Sequence, residues 1–444
     1  MKQITIAIMK YFINKNWMIL LVIIGLFSVK FYYLFLSFQN DSYSHEVAYS
    51  QGDASHYLSI AKNITDFHVY SDTNSKIISE SATWRPPFWP LVLSFLFQFS
   101  HNPLALILLK SILEISLIFF ALFKFKSTGN LKFSTLIPFF ILFIEPQYLK
   151  YSVTFLSESF TAVLILLLTV FFISFNNFKK HQIVIPVLSS FVILCHPVSA
   201  FFVLLLFIIY LLLNLKSNFL MTITSGVLFS LLVLSWPYRN YVTFNKGFYL
   251  TASQGASLSK AWNEKVASQF TNVDGDLADE GLNLKYVDDK LLSNSAKSVL
   301  DLSKIYTIAT KNFINGIGFQ EKLNIVFKKL KSNFNPFPEK PKPGFLETLS
   351  IFFRILYLIT FAQMIVRFLR KGKIDFNSTK DRVYLVVLAV FIGQIMMSIY
   401  VYTGLRFNSI YSLTMLFCFI FLNIDFFTRI YEKVVPVKVR NLII

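Results

Sequence analysis

Gly52-Asp53-Ala54-Ser55-His56-Tyr57 and, some thirty residues on, Trp84-Arg85-Pro86-Pro87-Phe88-Trp89-Pro90 form the polar interval between an apolar run at 17–38 and another at 103–124. Each run approaches or exceeds the ~18–20 apolar residues that carry a helix across a bilayer, so the interval reads as a loop outside the membrane. Outward from it, further apolar runs follow at 131–149, 155–175, 183–197, 198–214, 219–237, 345–368, 382–402 and 409–428. The pattern predicts an all-α polytopic membrane protein, a bundle of about ten transmembrane helices. It has a long first outer loop at 39–88 and a long outer segment after the seventh span. The run 183–214 reads either as one long helix or as a tight pair broken at His196-Pro197.

Composition agrees with that class. Of 444 residues 55% are hydrophobic and only 15% charged, with 51 Phe and 21 Tyr, less charge than a soluble domain carries. Met1–Lys15, with Lys2, Lys10 and Lys15 ahead of a long span and no small-residue cleavage site, reads as a retained anchor. The formal net charge of +18 raises nucleic acid as a partner. The basic residues flank spans instead of lining one face, which argues against it. Cys195 and Cys418 both lie in apolar runs, so neither a disulfide framework nor a cysteine metal cluster is available.

The same basic residues orient the chain. With the N-terminus cytoplasmic, the inner segments hold nineteen Lys and Arg, from Lys2 to Arg440, while the short outer connections hold only Lys150 and Arg406. That asymmetry is the positive-inside pattern. It favours ten spans, both termini in the cytoplasm and the long loops outside, in a plasma, inner or ER-type membrane. Reading 183–214 as one helix inverts everything after it. Three regions follow: 1–237, an N-terminal transmembrane module with the first outer loop; 238–344, an extracytoplasmic segment that would shape acceptor choice; and 345–444, a C-terminal transmembrane module. Helix-like runs at 284–310 and 319–332 lie in the second region. Its Pro-rich end, 335–343, is an extended approach to the next span.

Asp53 heads a helical pattern in which Tyr57, Ile60, Ala61 and Ile64 recur at i, i+3, i+4 and i+7. It can cap that helix or act as a general base, and one position can serve both. Arg85 sits among prolines and aromatics that would fix the backbone and seat Trp84 and its neighbours at the interface. It reads either as a snorkelling side chain or as a guanidinium offered to a lipid phosphate. Glu158 and Glu145 mark the outer ends of the fourth and third spans. With Asp53 they could hold an amino group, a sugar hydroxyl or a divalent cation, and His196 and His56 could join such a metal site. Arg239, in Trp236-Pro237-Tyr238-Arg239-Asn240-Tyr241, and Arg406, in Gly404-Leu405-Arg406-Phe407, place two more arginines beside aromatics on the same face. Lys110 and Glu114, four apart, read as a structural intramembrane pair. Lys30 and Asp425 read as near enough to span ends to snorkel.

In order, spacing and common side, these motifs resemble the GT-C superfamily of integral-membrane glycosyltransferases, above all the protein O-mannosyltransferase and lipid A aminoarabinose transferase group. The residues that carry the resemblance are Gly52-Asp53-Ala54 with Tyr57, Arg85-Pro86-Pro87 with Pro90, Pro146 with Tyr151 and Ser157-Glu158, then Trp236 to Tyr241 and Gly404 to Phe407. The resemblance implies a polyprenyl-phosphate sugar donor, an inverting transfer to a lipid, glycan or protein acceptor, and no nucleotide. It makes Asp53 the base, with Glu158 a second catalytic acid. It puts Arg85, with Arg239 and Arg406, on the donor phosphate, and leaves Tyr57, Glu145, Trp84 and Asn240 to contact substrate. Beyond a divalent cation at Asp53, Glu158 and His196, no cofactor is implied. The competing classes are a transporter or flippase, which would place ionisable residues at mid-membrane, and an inactive lipid-binding subunit.

Overall fold

The computed structural model describes residues 25, 28–32, 35, 52–129, 133–174, 181–215, 218–263, 266, 276–277, 298–335, 345–372, 374–376, 378–401, 403–404 and 408–434. These are helical apart from turns, connections and a two-residue antiparallel pairing of Asp276–Leu277 with Thr403–Gly404. Most of the expected first span at 17–38 and all of Arg406 lie outside the described residues.

Within the expected first loop, 39–88, the described residues from Gly52 on include a long helix. Helix α1 (Gly52–Phe67) packs against α2 (Phe88–Phe97), with the 3₁₀ turn Ser81–Trp84 between them. The amphipathic pattern explains α1: Ala54, Tyr57, Leu58 and Ala61 form its buried stripe. Asp53 lies inside its first turn. Then come α3 (Pro103–Gly129), α4 (Pro146–Ser152), α5 (Glu158–Ile173), α6 (Val184–Cys195), α7 (Ala200–Leu215) and α8 (Phe219–Phe244). The expected span at 131–149 is wound as a 3₁₀ helix, Phe133–Ile144, and stops at Glu145. Glu145 precedes a proline and is extended, at φ −61° and ψ 121°, as a residue before proline favours. The same rule breaks the chain at His196, extended before Pro197 at φ −148° and ψ 98°, so 183–214 is two helices.

The outer segment contributes α9 (Gln254–Ala261), α10 (Val299–Gly316) and α11 (Phe319–Phe334). The remaining helices are α12 (Phe345–Lys371), α13 (Thr379–Tyr400), α14 (Ser412–Leu422) and α15 (Ile424–Val434). Every residue of α5 is buried. It is the central post, packed by α3, α6 and α14. Its 16 residues rise about 24 Å, less than a bilayer core, and neighbouring helices screen it from lipid.

Among the described residues, five helical stretches are long and apolar enough to cross a membrane: Pro103–Ser127, Pro197–Leu215, Phe219–Phe244, Thr348–Arg370 and Thr379–Tyr400. A sixth forms if α14 and α15, bent by 71° at Asn423, are one broken span. By length and composition the chain is an integral membrane protein. The expected count of about ten also includes 17–38, most of which lies outside the described residues, 131–149, which is wound as a 3₁₀ helix, and α5 and α6, which are apolar but short.

The outer segment is fastened to the first loop. Ala252 N–H donates to Thr83 O at 2.9 Å. Lys246 bridges Glu80 at 3.2 Å and Asp301 at 3.4 Å. Glu80 also accepts from Leu300 N–H, at 3.0 Å, in the first turn of α10, as an N-terminal carboxylate does.

Candidate active site

Asp53 and Arg85, separated by 32 positions, meet directly: the Arg85 Nη2 donates to Asp53 Oδ1. Two elements make this contact. Helix α1 carries Asp53 in its first turn, and the extended residue Arg85 (φ −108°, ψ 142°) ends the 3₁₀ turn just ahead of Pro86-Pro87. Asp53, in the first turn of α1, thus holds a long-range ion pair as well. The same guanidinium lies over the Tyr57 ring at 5.1 Å and sends Nε–H to His56 Nδ1 at 3.2 Å.

His56 continues the chain of contacts to Asp72, with Nε2 at 3.0 Å from Oδ2. Since Nδ1 accepts from Arg85, the ring proton belongs on Nε2, and Asp72 receives it. Asp72 also accepts from Ser79 and, at 2.7 Å, from Ser81. Partial burial pushes its carboxyl up, but the hydrogen bonds from His56, Ser79 and Ser81 outweigh that and hold it well below the usual carboxylate range. The role of His56 was legible in one signal: it lies three residues after Asp53, on the same helix face. Sequence reasoning had given it to a metal site instead.

Beneath this corner, Tyr57 Oη lies 3.4 Å from Ser157 Oγ, and Glu158 begins the next helix, fully buried. Burial pushes the Tyr57 phenol up to about 12, so at neutral pH it is a hydrogen-bond donor and not a base. Glu158 Oε1 is 3.9 Å from His196 Nε2. Among the described residues no three His, Cys, Asp or Glu side chains gather into a metal-binding group. Asp53, Glu158 and His196 therefore do not fit the expected cation site.

Arg239 joins through Tyr70. Its guanidinium lies 5.8 Å from the Tyr70 ring centre and 5.0 Å from that of Trp236, and Tyr70 Oη donates to Arg85 O at 3.1 Å. Asn240 is buried, with its amide engaged by Arg239 at 3.0 Å and Tyr249 O at 3.2 Å; its contacts hold Arg239 in place. Trp84 is half-buried. The anchor of the proline segment is Trp89, fully buried and donating to Phe155 O at 2.7 Å, so that part of the segment is seated inside the bundle and not at the interface. Glu145 lies apart from these contacts: it accepts from Ser412 at 2.7 Å, Tyr357 at 3.0 Å and the Tyr148 N–H at 2.6 Å.

Lys30 does not snorkel. It is 4% exposed and donates to Glu114 and to Tyr148 Oη, each at 3.1 Å. Lys110 approaches the same carboxylate at 3.6 Å, so the expected pair is a triad, joined by Ser159 at 2.7 Å.

No family model, curated protein or solved structure matches this chain. The reading of the site therefore rests on its own geometry.

Proposed function

We propose that the protein transfers a sugar from a polyprenyl-phosphate donor to an acceptor hydroxyl or amine at the extracytoplasmic membrane face, with inversion. The observation that carries the reading is the contact of Asp53 with Arg85 in a corner walled by Tyr57, Tyr70 and Trp236, beside helices long enough to cross a membrane. A carboxylate beside a guanidinium supplies a base and a phosphate binder at one place. In the transfer, Asp53 takes the acceptor proton as the acceptor attacks the anomeric carbon. The bond from that carbon to the donor phosphate oxygen breaks. The departing polyprenyl phosphate keeps the electron pair and is held by Arg85, with Arg239 next to it and Arg406 supplying a third cation. Fixed charges of this kind contribute roughly 3–4 kcal/mol each to lowering a barrier. The charge asymmetry described above supports an outer site and cytoplasmic termini.

The test is incubation of purified protein with labelled polyprenyl-phosphate sugars. Release of polyprenyl phosphate, lost in Asp53→Asn with unchanged thermal stability, is the expected result. Near-normal turnover by that variant would sink the assignment.

A second reading, transport, draws on the buried triad Lys30, Glu114 and Lys110. Ionisable residues inside spanning helices commonly mark a pathway. Uptake of labelled glycolipid into proteoliposomes, without sugar release, would favour it.

A further inference from the structure

A second polar cavity opens between the C-terminal helices. Its wall is drawn from the start of α4, the end of α11, the first half of α12, the last part of α13 and the start of α14, and none of Asp53, His56, Tyr57 or Arg85 lines it. Four of its lining residues each carry a buried polar atom with no hydrogen-bond partner among the described residues: Gln147 Oε1, Arg354 Nη2, Gln394 Oε1 and Tyr411 Oη. Tyr411 is 1% exposed and Gln394 7%. Leaving a buried polar atom unmade costs about 1–3 kcal/mol, so four around one cavity point to something that completes them.

Other contacts hold three of these side chains in place. Gln147 Nε2 donates to Ser350 at 2.7 Å, Gln394 Nε2 to Asn408 at 3.2 Å, and Arg354 Nη1 to Asn335 O at 3.2 Å. The interior volume is about 40 Å³, enough for about three water-sized groups. Their chemistry is two acceptors, one hydroxyl and one cationic donor. Glu145, within electrostatic reach of Arg354, offsets its charge, and two unpartnered amide oxygens on lining residues disfavour an anion.

We infer that this cavity binds the hydroxyl-bearing edge of a saccharide, two or three ring hydroxyls taking the water-sized positions. A sugar hydroxyl both donates, to Gln147 and Gln394, and accepts, from Arg354 and Tyr411. Where the glycosyl-transfer reading holds, this is an acceptor subsite; the binding itself does not rest on that reading.

The test is saturation-transfer NMR on the full chain in detergent, with methyl glycosides of hexoses, pentoses and N-acetylhexosamines as probes and inorganic phosphate as competitor. Wild type transfers saturation to ring protons of at least one glycoside. Tyr411→Phe removes a hydroxyl that bonds nothing among the described residues, so it keeps or raises thermal stability, and it weakens glycoside binding about three- to tenfold. Gln394→Met also weakens glycoside binding, but it gives up the bond to Asn408 and so lowers thermal stability slightly. Asp53→Asn binds as wild type does, which separates this result from loss of transfer. No transfer in wild type, equal affinity in both cavity variants, or phosphate binding in place of glycoside overturns the inference.

Discussion

Arg85 and His56 are joined by a hydrogen bond of 3.2 Å in which the guanidinium Nε donates and the imidazole Nδ1 accepts. The bond fixes both partners: it aims the guanidinium fork at Asp53, and it sets the imidazole tautomer that donates to Asp72. His56→Ala should therefore lower kcat/KM for the donor about tenfold or more, the scale of one hydrogen bond to a charged group, while leaving the fold intact. Kinetics with labelled donor, alongside a thermal scan, check this.

Arg85→Lys should fail to restore activity. The guanidinium reaches Asp53 through Nη2 and His56 through Nε at once, and a lysine ammonium on a flexible stem lacks that planar fork. We expect a donor KM raised about tenfold or more. A variant with wild-type KM would show that the fork geometry is not used.

Acid stability should carry the signature of Asp72. Its folded carboxyl is held below the ordinary value, so its contribution is fully present above the unfolded pKa of about 4 and is lost as pH falls below that toward the folded value. Thermal scans should show a falling limb below about pH 4 that is shallower in Asp72→Asn.

Glu114→Gln leaves Lys30 and Lys110 buried without their shared carboxylate. Breaking such a cluster from one side costs about 3–5 kcal/mol, read as a lowered Tm in detergent. Replacing all three together, Lys30→Met with Lys110→Met and Glu114→Gln, should recover much of that loss.

Gly255→Ala should loosen the outer segment. A Cβ there would stand 1.9 Å from Ser303 O, a backbone atom of α10, and overpacking of this kind costs about 1–3 kcal/mol. Increased proteolysis of the outer segment, with spans intact, is the expected readout.

The sequence by itself determined the class of this protein, the amphipathic stripe of α1, the candidate break before Pro197, and the gathering of Arg85 and Arg239 around aromatics. These are readable because they are local: an apolar run needs a membrane or a core whatever lies elsewhere, and a proline constrains its own neighbour. Only tertiary structure decided who faces whom. Asp53 meets Arg85 across 32 positions, a contact no local pattern announces. Lys30 looked like a snorkelling end residue, yet its carboxylate stands 84 positions away. Glu145 carried no sign that Ser412 would bond it across 267. The number of spans turns on the same kind of contact. Whether a short apolar helix such as α5 faces lipid or is ringed by neighbours depends on packing, and hydropathy is the same in both settings.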